Sequence, residues 1–291
     1  MANSPIKGIV VYFVIAFGMA WVFWTIPMLM GYSARSGVFQ LAILPGAFAP
    51  AVAAIVVRKW VTREGFADAG LRLNLRGNGS YYLAAWLLPA AVTAIIVILA
   101  MAFGVSRPDF PLERVAAATM PGVENPLLKI PRGIRFPMAV AQGLIVAIIA
   151  TPVLWGEEFG WRGYLQVRLL ARRPLLAAVA TGLIWGVWHY PINLRGYNFP
   201  DNRILGLFLF PLWTVLLSII FGWLRLRTGS TWAASLAHAA TNAIGGSLTS
   251  VLFMGGPNWI WVSYAGILSW IPLGAVCAWI IWSGQLRPEG A

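Results

Sequence analysis

The sequence predicts an all-α fold, a polytopic membrane protein built as a single bundle of about eight transmembrane helices. Only 10% of the 291 residues are charged and 59% are hydrophobic. Apolar runs of about twenty residues, the length that crosses the hydrocarbon core, recur along the chain. The alternating pattern of a membrane β-barrel is missing, and backbone groups in hydrocarbon must be satisfied within the chain. We therefore expect one transmembrane domain over residues 1–291.

Eight apolar runs give the predicted helices in chain order. The first follows Lys7 and exceeds the core of a secretory signal, about 7 to 15 residues, so we interpret it as a span. The polar segment Gly104 to Phe136 is expected to be a partly ordered loop or a surface helix. The fifth run stops beside Pro191, because proline cannot continue a helix interior. The predicted spans are Gly8 to Met30, Phe39 to Val57, Tyr81 to Phe103, Pro137 to about Tyr164, Pro174 to His189, Ile204 to Leu224, Thr231 to Phe253 and Trp259 to Trp282.

The net charge of +12 is interpreted as membrane topology, with no nucleic-acid partner. Lys and Arg lie mainly in the links between apolar runs, where they orient a chain in the lipid bilayer. Twelve of them, including Lys7, Arg168 and Arg287, fall on the side of the N-terminus, and eight, including Arg35, fall opposite. We therefore expect both termini in the cytoplasm and the bundle in a prokaryotic inner (plasma) membrane.

The ionisable residues inside the spans point to a functional site. Of nine acidic residues, only Glu157 and Glu158 lie within an apolar run, and both histidines of the chain, His189 and His238, also lie in such runs. A charged residue near the bilayer centre costs roughly 2.5 to 3.5 kcal/mol on insertion scales, so it usually faces the bundle interior and marks function.

Spacing predicts that these residues share one pocket. Glu158 and Arg162 are four residues apart, on one helix face, where the arginine can neutralise a carboxylate. His238 and Asn242 repeat that spacing. We estimate depth from the polar turns on the N-terminal side of the membrane, with a helix rise of about 1.5 Å per residue. Glu158 and His189 then lie about 20 and 22 Å into the membrane, and His238 and Asn242 lie about 16 and 22 Å into it. Three helices thus bring polar groups to a similar depth.

These residue types suit the hydrolysis of an amide bond. A carboxylate beside a histidine can take a proton from water. A second histidine and an amide can donate hydrogen bonds to the oxyanion that forms when water attacks a carbonyl. A metal mechanism is the alternative, because His189, His238 and Glu157 would also make a three-ligand catalytic zinc set with a fourth position for water.

Three short segments resemble the motifs of a known family. "EEFGWRG", "WGVWH" and "HAATN" are similar to the EExxxR, FxxxH and HxxxN motifs of the CAAX protease and bacteriocin-processing family, the Rce1-like and Abi intramembrane endopeptidases. The resemblance covers about Pro137 to Phe253, which we interpret as the protease core of the single domain. Trp185 stands where the family usually has Phe, a mild change in a packing position.

The resemblance implies a role for each motif residue. Glu157 would activate water with the assistance of His189. His238 and Asn242 would hold the oxyanion, and Glu158 with Arg162 would form a supporting pair. The family has been described both as metal-dependent and as a glutamate protease, so zinc stays open. Because Asn242 is a poor zinc ligand and a good oxyanion donor, we favour the mechanism without a metal.

Three functions remain as hypotheses from the sequence. We favour an intramembrane endopeptidase that cleaves a peptide or membrane-protein substrate. A non-catalytic family member, acting as a scaffold or immunity protein, would keep its function without Glu157, His189 or His238. A proton-coupled transporter would use the same groups as a relay, but internal repeats are missing. The GxGD and HExxH motifs of other intramembrane proteases are absent from the sequence.

Overall fold

The chain folds into a bundle of helices. The structure is a computed structural model, and it describes residues 5–33, 36–118, 125–170 and 172–286. Among these residues there is no strand, and six helices are long and apolar enough to cross a membrane. The prediction of an all-α polytopic membrane protein is therefore confirmed.

Eight helices occupy the positions of the eight predicted spans. We name them α1 (Pro5–Leu29), α2 (Gly37–Val61), α3 (Gly79–Ala102), α4 (Arg132–Arg168), α5 (Pro174–Trp188), α6 (Arg203–Thr228), α7 (Thr231–Ala240) and α8 (Trp259–Trp282). Shorter helical segments are Glu113–Ala117, the 3₁₀ turn Pro126–Lys129 and Tyr190–Leu194.

Several of these helices are irregular. α2 is interrupted at Ile43 and Phe48, and α8 between Val262 and Ile267. π-helical turns, which often accompany functional sites, end α2 at Val57–Val61, lie within α4 at Trp161–Leu165 and follow α7 at Thr241–Gly246. The helix then continues as Ser247–Leu252. The seventh predicted span therefore consists of α7, a π turn and a further short α-helix.

The predicted start of the fourth span differs from the structure. The polar segment Gly104 to Phe136 was expected to lie outside the spans, but α4 already begins at Arg132. The reason is that Pro131 comes directly before α4, at a helix start where a missing N–H costs nothing. The two short helical segments within the polar segment fit the expected partial order. Glu124 lies outside the described residues.

The basic loops meet at one end of the bundle. Arg58 Nη2 donates to the carbonyl oxygen of Gly163 at 3.0 Å, and Arg225 Nη2 to that of Asp68 at 2.6 Å. Arg168 pairs with Asp68 at 3.1 Å. This agrees with the grouping of these arginines on one side of the membrane. The cytoplasmic assignment of that side stays a prediction, and Arg35 and Arg287, which entered it, lie outside the described residues.

Glycines let the helices of the bundle core approach closely. A β-carbon on Gly182 would lie 2.6 Å from Val215 Cα, and one on Gly186 would lie 2.4 Å from Pro211 Cα. Such a small-xxx-small pair is a usual interface between membrane helices. It holds α5 against α6, while α7 packs against α4. The ends of α4, α5 and α7 are brought together in this way.

Candidate active site

Three helices supply the predicted site residues. Glu157, Glu158 and Arg162 lie near the C-terminal end of α4, where the α-helix passes into its π turn. His189 is the C-cap of α5, followed at once by the Pro191-containing segment Tyr190–Leu194. His238 lies in α7, which begins after Ser230, whose side chain accepts from the backbone N–H of Trp232.

Glu158 is the centre of a buried polar cluster. Its side chain is fully buried. Oε1 accepts from Arg162 Nη1 at 2.9 Å and lies 2.9 Å from His238 Nδ1. Because the guanidinium favours the ionised carboxylate, the imidazole must donate through Nδ1. This leaves Nε2 of His238 as the ring atom available to a substrate.

Arg162 is buried between its carboxylate and aromatic rings. Its Cζ lies 4.8 Å from the centre of the Trp185 ring and 5.1 Å from that of Phe221. Among the described residues, Nε and Nη2 have no hydrogen-bond partner. Cation–π contacts therefore take the place of further hydrogen bonds, and the arginine is confined to neutralising Glu158.

Glu157 points toward α5. It is 6% exposed, and its Oε2 accepts from the indole Nε1 of Trp185 at 2.9 Å. Within the described parts of the chain, no other hydrogen bond to this carboxylate is found. One oxygen is thus fixed by the indole, and Oε1 is left to interact with water.

His189 is oriented by its own helix. Nδ1 lies 2.9 Å from the carbonyl oxygen of Trp185. Because a carbonyl only accepts, Nδ1 carries the proton and Nε2 of the neutral ring is a base or acceptor. The ring is partly exposed and packs among Trp24, Trp188 and Phe210, with centroid distances of 5.7, 4.9 and 5.1 Å.

Asn242 lies one turn beyond His238 in the π turn Thr241–Gly246. Its side chain is exposed and makes no hydrogen bond to a described residue. The structure therefore joins five of the six predicted residues: Arg162 and His238 each bind Glu158 Oε1, while Glu157 and His189 are linked through Trp185. That Asn242 acts in the same pocket stays a prediction.

Sequence analysis missed two aromatic residues. Trp185 was interpreted as a packing residue, yet it binds Glu157 and His189 and its ring lies 5.1 Å from that of His238. A buried tryptophan usually finds a partner for its N–H, and the departure from Phe was the available signal. Tyr12 of α1 is fully buried, and the charges of Arg162, Glu158 and Glu157 act on its hydroxyl. No sequence pattern linked this first helix to the motifs.

The alternative zinc set is not assembled as a metal centre. Across residues 5–33, 36–118, 125–170 and 172–286, no three His, Cys, Asp or Glu side chains form a group that could hold a metal ion. His238 directs Nδ1 to Glu158, and Glu157 binds an indole. The mechanism without a metal stays the favoured prediction, and zinc stays the alternative.

Comparison with known proteins agrees with the motif pattern. Residues 134–244 match the family described as Type II CAAX prenyl endopeptidase Rce1-like. The chain is also similar to CAAX prenyl protease 2 of Methanococcus maripaludis, with 27% identity over 225 residues, which covers 74% of this chain and 75% of the relative. Residues 134–244 contain all but the first two residues of α4 and the whole of α5, α6 and α7, so they include the three helices that carry the site.

Proposed function

We propose, from the premise that this membrane protein belongs to the Rce1-like CAAX endopeptidase family, that it hydrolyses peptide bonds with water activated by Glu157. Family membership supports an intramembrane endopeptidase in general. The residue roles and the substrate are the proposal. The observation that carries it is a buried carboxylate with one fixed and one available oxygen, beside two oriented imidazoles.

Glu157 is the proposed base. Its free oxygen takes a proton from water while the water oxygen bonds to the scissile carbonyl carbon. His189, whose Nε2 is an acceptor, holds the water from the other side. The proton then passes to the amide nitrogen, the C–N bond breaks, and a carboxylate and an amine leave. Only water is consumed, so no further reactant is needed.

His238 is the proposed oxyanion donor, together with Asn242. In the proposed step both ring nitrogens of His238 donate: Nδ1 donates to Glu158 Oε1, 2.9 Å away, and Nε2 donates to the developing oxyanion. Asn242, one turn further along the helix, would add a second donor. Glu158 and Arg162 keep the imidazole in place and are positioning residues.

The proposed substrate is a peptide or the tail of a membrane protein. The name of the archaeal relative refers to prenylated CAAX proteins, and a farnesylated CAAX peptide and its unprenylated twin are the first pair to test. Cleavage of both at similar rates would point to general peptide hydrolysis. Cleavage of the farnesylated peptide alone would assign the substrate class.

Glu157→Gln tests the mechanism. The amide keeps the size of the side chain and an oxygen for the Trp185 N–H, but it cannot take a proton. We expect kcat to fall by about 10²–10⁴-fold while the thermal unfolding temperature stays close to that of the wild type. Cleavage by the purified wild-type protein should persist in the presence of a chelator such as EDTA.

Three outcomes would contradict this proposal. Undiminished cleavage by Glu157→Gln would remove the glutamate base. Loss of wild-type cleavage in the chelator, restored by Zn²⁺, would favour the metal alternative. A wild-type protein that cleaves neither peptide, with a cellular phenotype that survives Glu157→Gln, would favour the scaffold or immunity hypothesis.

A further inference from the structure

Trp185 contacts four of the polar residues of the site, Glu157, Arg162, His189 and His238. Its indole Nε1 donates to Glu157 Oε2 at 2.9 Å, and its backbone carbonyl accepts from His189 Nδ1 at 2.9 Å. Its ring faces Arg162 at 4.8 Å and meets His238 at a centroid distance of 5.1 Å. The residue is 2% exposed. One residue of α5 therefore bridges the groups of α4 and α7.

The indole N–H makes a strong type of hydrogen bond. A neutral donor aimed at a carboxylate forms a charge-assisted bond, which is shorter and about twice as strong as a bond between neutral groups. In this buried setting the bond stabilises the ionised carboxylate relative to the acid. It also holds Oε2 in place, so that Oε1 has a defined direction.

We infer that Trp185 is a positioning residue that sets both the direction and the proton affinity of the Glu157 base. This rests on the proposed function, because it assumes that Glu157 is the base. Phe, which the family motif usually has at this position, would keep the ring over Arg162 and His238 but has no N–H. The arrangement is therefore a property of this chain and is not implied by the motif.

Other groups that act on Glu157 are unchanged by a substitution at Trp185. They come from several helices: Glu158 and Arg162 from α4, His238 from α7, Tyr12 from α1 and Tyr197 from the segment after α5. The hydrogen bond of His189 to the backbone carbonyl of residue 185 is also kept. Because all of them remain, a change in the pH dependence of Trp185→Phe reports on the lost N–H.

The test is the pH profile of kcat/KM for Trp185→Phe. Without the N–H, the ionised carboxylate is less favoured, so Glu157 becomes protonated at a higher pH. We expect the acidic limb of the profile to move upward by about one pH unit, which is about a tenfold loss of kcat/KM on that limb. On the high-pH plateau, where Glu157 is ionised in both proteins, only the lost orientation of the carboxylate acts, so the loss of kcat/KM should be smaller than on the acidic limb.

Trp86→Phe is the matched control. Trp86 Nε1 donates to the carbonyl oxygen of Leu144 at 3.0 Å, between α3 and α4, outside the polar cluster. This variant loses the same kind of donor inside the membrane, and its acidic limb should superpose on that of the wild type. A uniform loss at all pH values in Trp185→Phe, or an unmoved limb, would overturn the inference.

A spectroscopic measurement covers the case in which Trp185→Phe does not fold. In protein with ¹⁵N-labelled indoles, one Nε1–H signal should shift with pH in the wild type and become independent of pH in Glu157→Gln. If no indole signal behaves in this way, the inference is wrong. This readout needs no substrate, so it separates failure of the inference from failure of the proposed peptide hydrolysis.

Discussion

The carboxylate of Glu158 determines the arrangement of the site at the scale of single residues. It is buried and holds Arg162 and His238 through the same oxygen. A buried ion pair adds little net stability, but removing one partner leaves an uncompensated charge. The pair is best understood as the structural support of the imidazole.

Arg162→Leu tests this interpretation. With the guanidinium gone, Glu158 is a buried carboxylate without its cation, and we expect the free energy of unfolding to fall by about 3–5 kcal/mol. Unfolding by SDS in mixed micelles measures it. The double variant Glu158→Gln/Arg162→Leu removes both charges of the pair and should lose less.

Arg203→Leu is the control for that series. Arg203 is exposed at the start of α6, and a surface change of this kind costs less than about 0.5 kcal/mol. An Arg162→Leu variant as stable as Arg203→Leu would mean that Glu158 carries no buried charge in the folded protein.

The sequence predicted the pairing of Glu158 with Arg162, but not the hydrogen bond between Glu157 and Trp185. Glu157, Glu158, His189 and His238 were identifiable because ionisable groups are rare and costly in apolar spans. The indole of Trp185 carries no charge, so the same argument could not select it. The exposure of Asn242 depends on the π turn that begins at Thr241, and four-residue spacing assumes an α-helix.

At the scale of helices, close packing of α5 on α6 fixes the position of His189. Gly186→Ala would place a methyl group 2.4 Å from Pro211 Cα and 2.7 Å from Thr214 Oγ1. The backbone of Pro211 cannot move aside for this methyl group, so α5 must shift away from α6. We expect a loss of about 1–3 kcal/mol in the free energy of unfolding and at least a tenfold loss of kcat, measured in the same preparations.

Gly18→Ala is the matched control in α1. A β-carbon there would meet no atom within 4 Å, and alanine is the better helix former by about 1 kcal/mol. This variant should be as stable and active as the wild type. Equal losses in both variants would show that the α5–α6 contact has no special role.

Helix positions were predictable and helix irregularities were not. Runs of apolar residues locate the spans because hydrocarbon favours them whatever their internal geometry. The breaks in α2 at Ile43 and Phe48 and the π turns depend on packing between helices, which a single run does not encode. The start of α4 at Arg132 was not predicted, because the charged residues Arg132 and Arg135 were taken to lie outside the span.

At the scale of the whole molecule, ion pairs close one end of the bundle. Arg58 is fully buried and binds Asp68 at 2.8 Å, and Arg168 binds both Glu64 and Asp68. Burial acts to raise the pKa of the Asp68 carboxyl, but the hydrogen bond from Arg58 and the charges of Arg168 and Arg58 outweigh it and lower the pKa. The loop between α2 and α3 is thereby fastened to the end of α4.

Asp68→Asn is expected to change the stability of the protein with pH. Because the folded-state pKa is lowered, Asp68 stabilises the fold above the ordinary carboxyl value of about 3.9, and this contribution is lost as the pH falls through the lowered pKa. The side chain is 55% exposed, so the loss near neutral pH should be about 1 kcal/mol or less.

Thermal unfolding at neutral pH and at about pH 3 measures this effect, with Asp201→Asn as the control. Asp201 is exposed in the loop before α6. The gap in stability between Asp68→Asn and the wild type should narrow in acid, whereas Asp201→Asn should follow the wild type throughout. A gap that widens in acid would contradict the prediction.

The overall architecture could be predicted from the composition of the sequence, whereas the ion pairs that close one end of the bundle could not. Few charges and repeated apolar runs suffice to predict a helical membrane bundle. The partners of Arg58 and Arg225 lie on other helix ends and in a loop, at sequence separations of up to 157 residues. No local pattern specifies such contacts, which is why the loop after α2 was interpreted only as positively charged.

The shortness of α5 has a consequence for the surrounding lipid. Its 15 residues rise about 22 Å, less than the roughly 30 Å of a hydrocarbon layer, and His189 caps the end. A bilayer that is thinner around a short span is one way to accommodate the mismatch. We expect headgroups and their hydration shell to lie closer to the imidazole there, so that solvent reaches the reacting bond more readily in a thinner membrane.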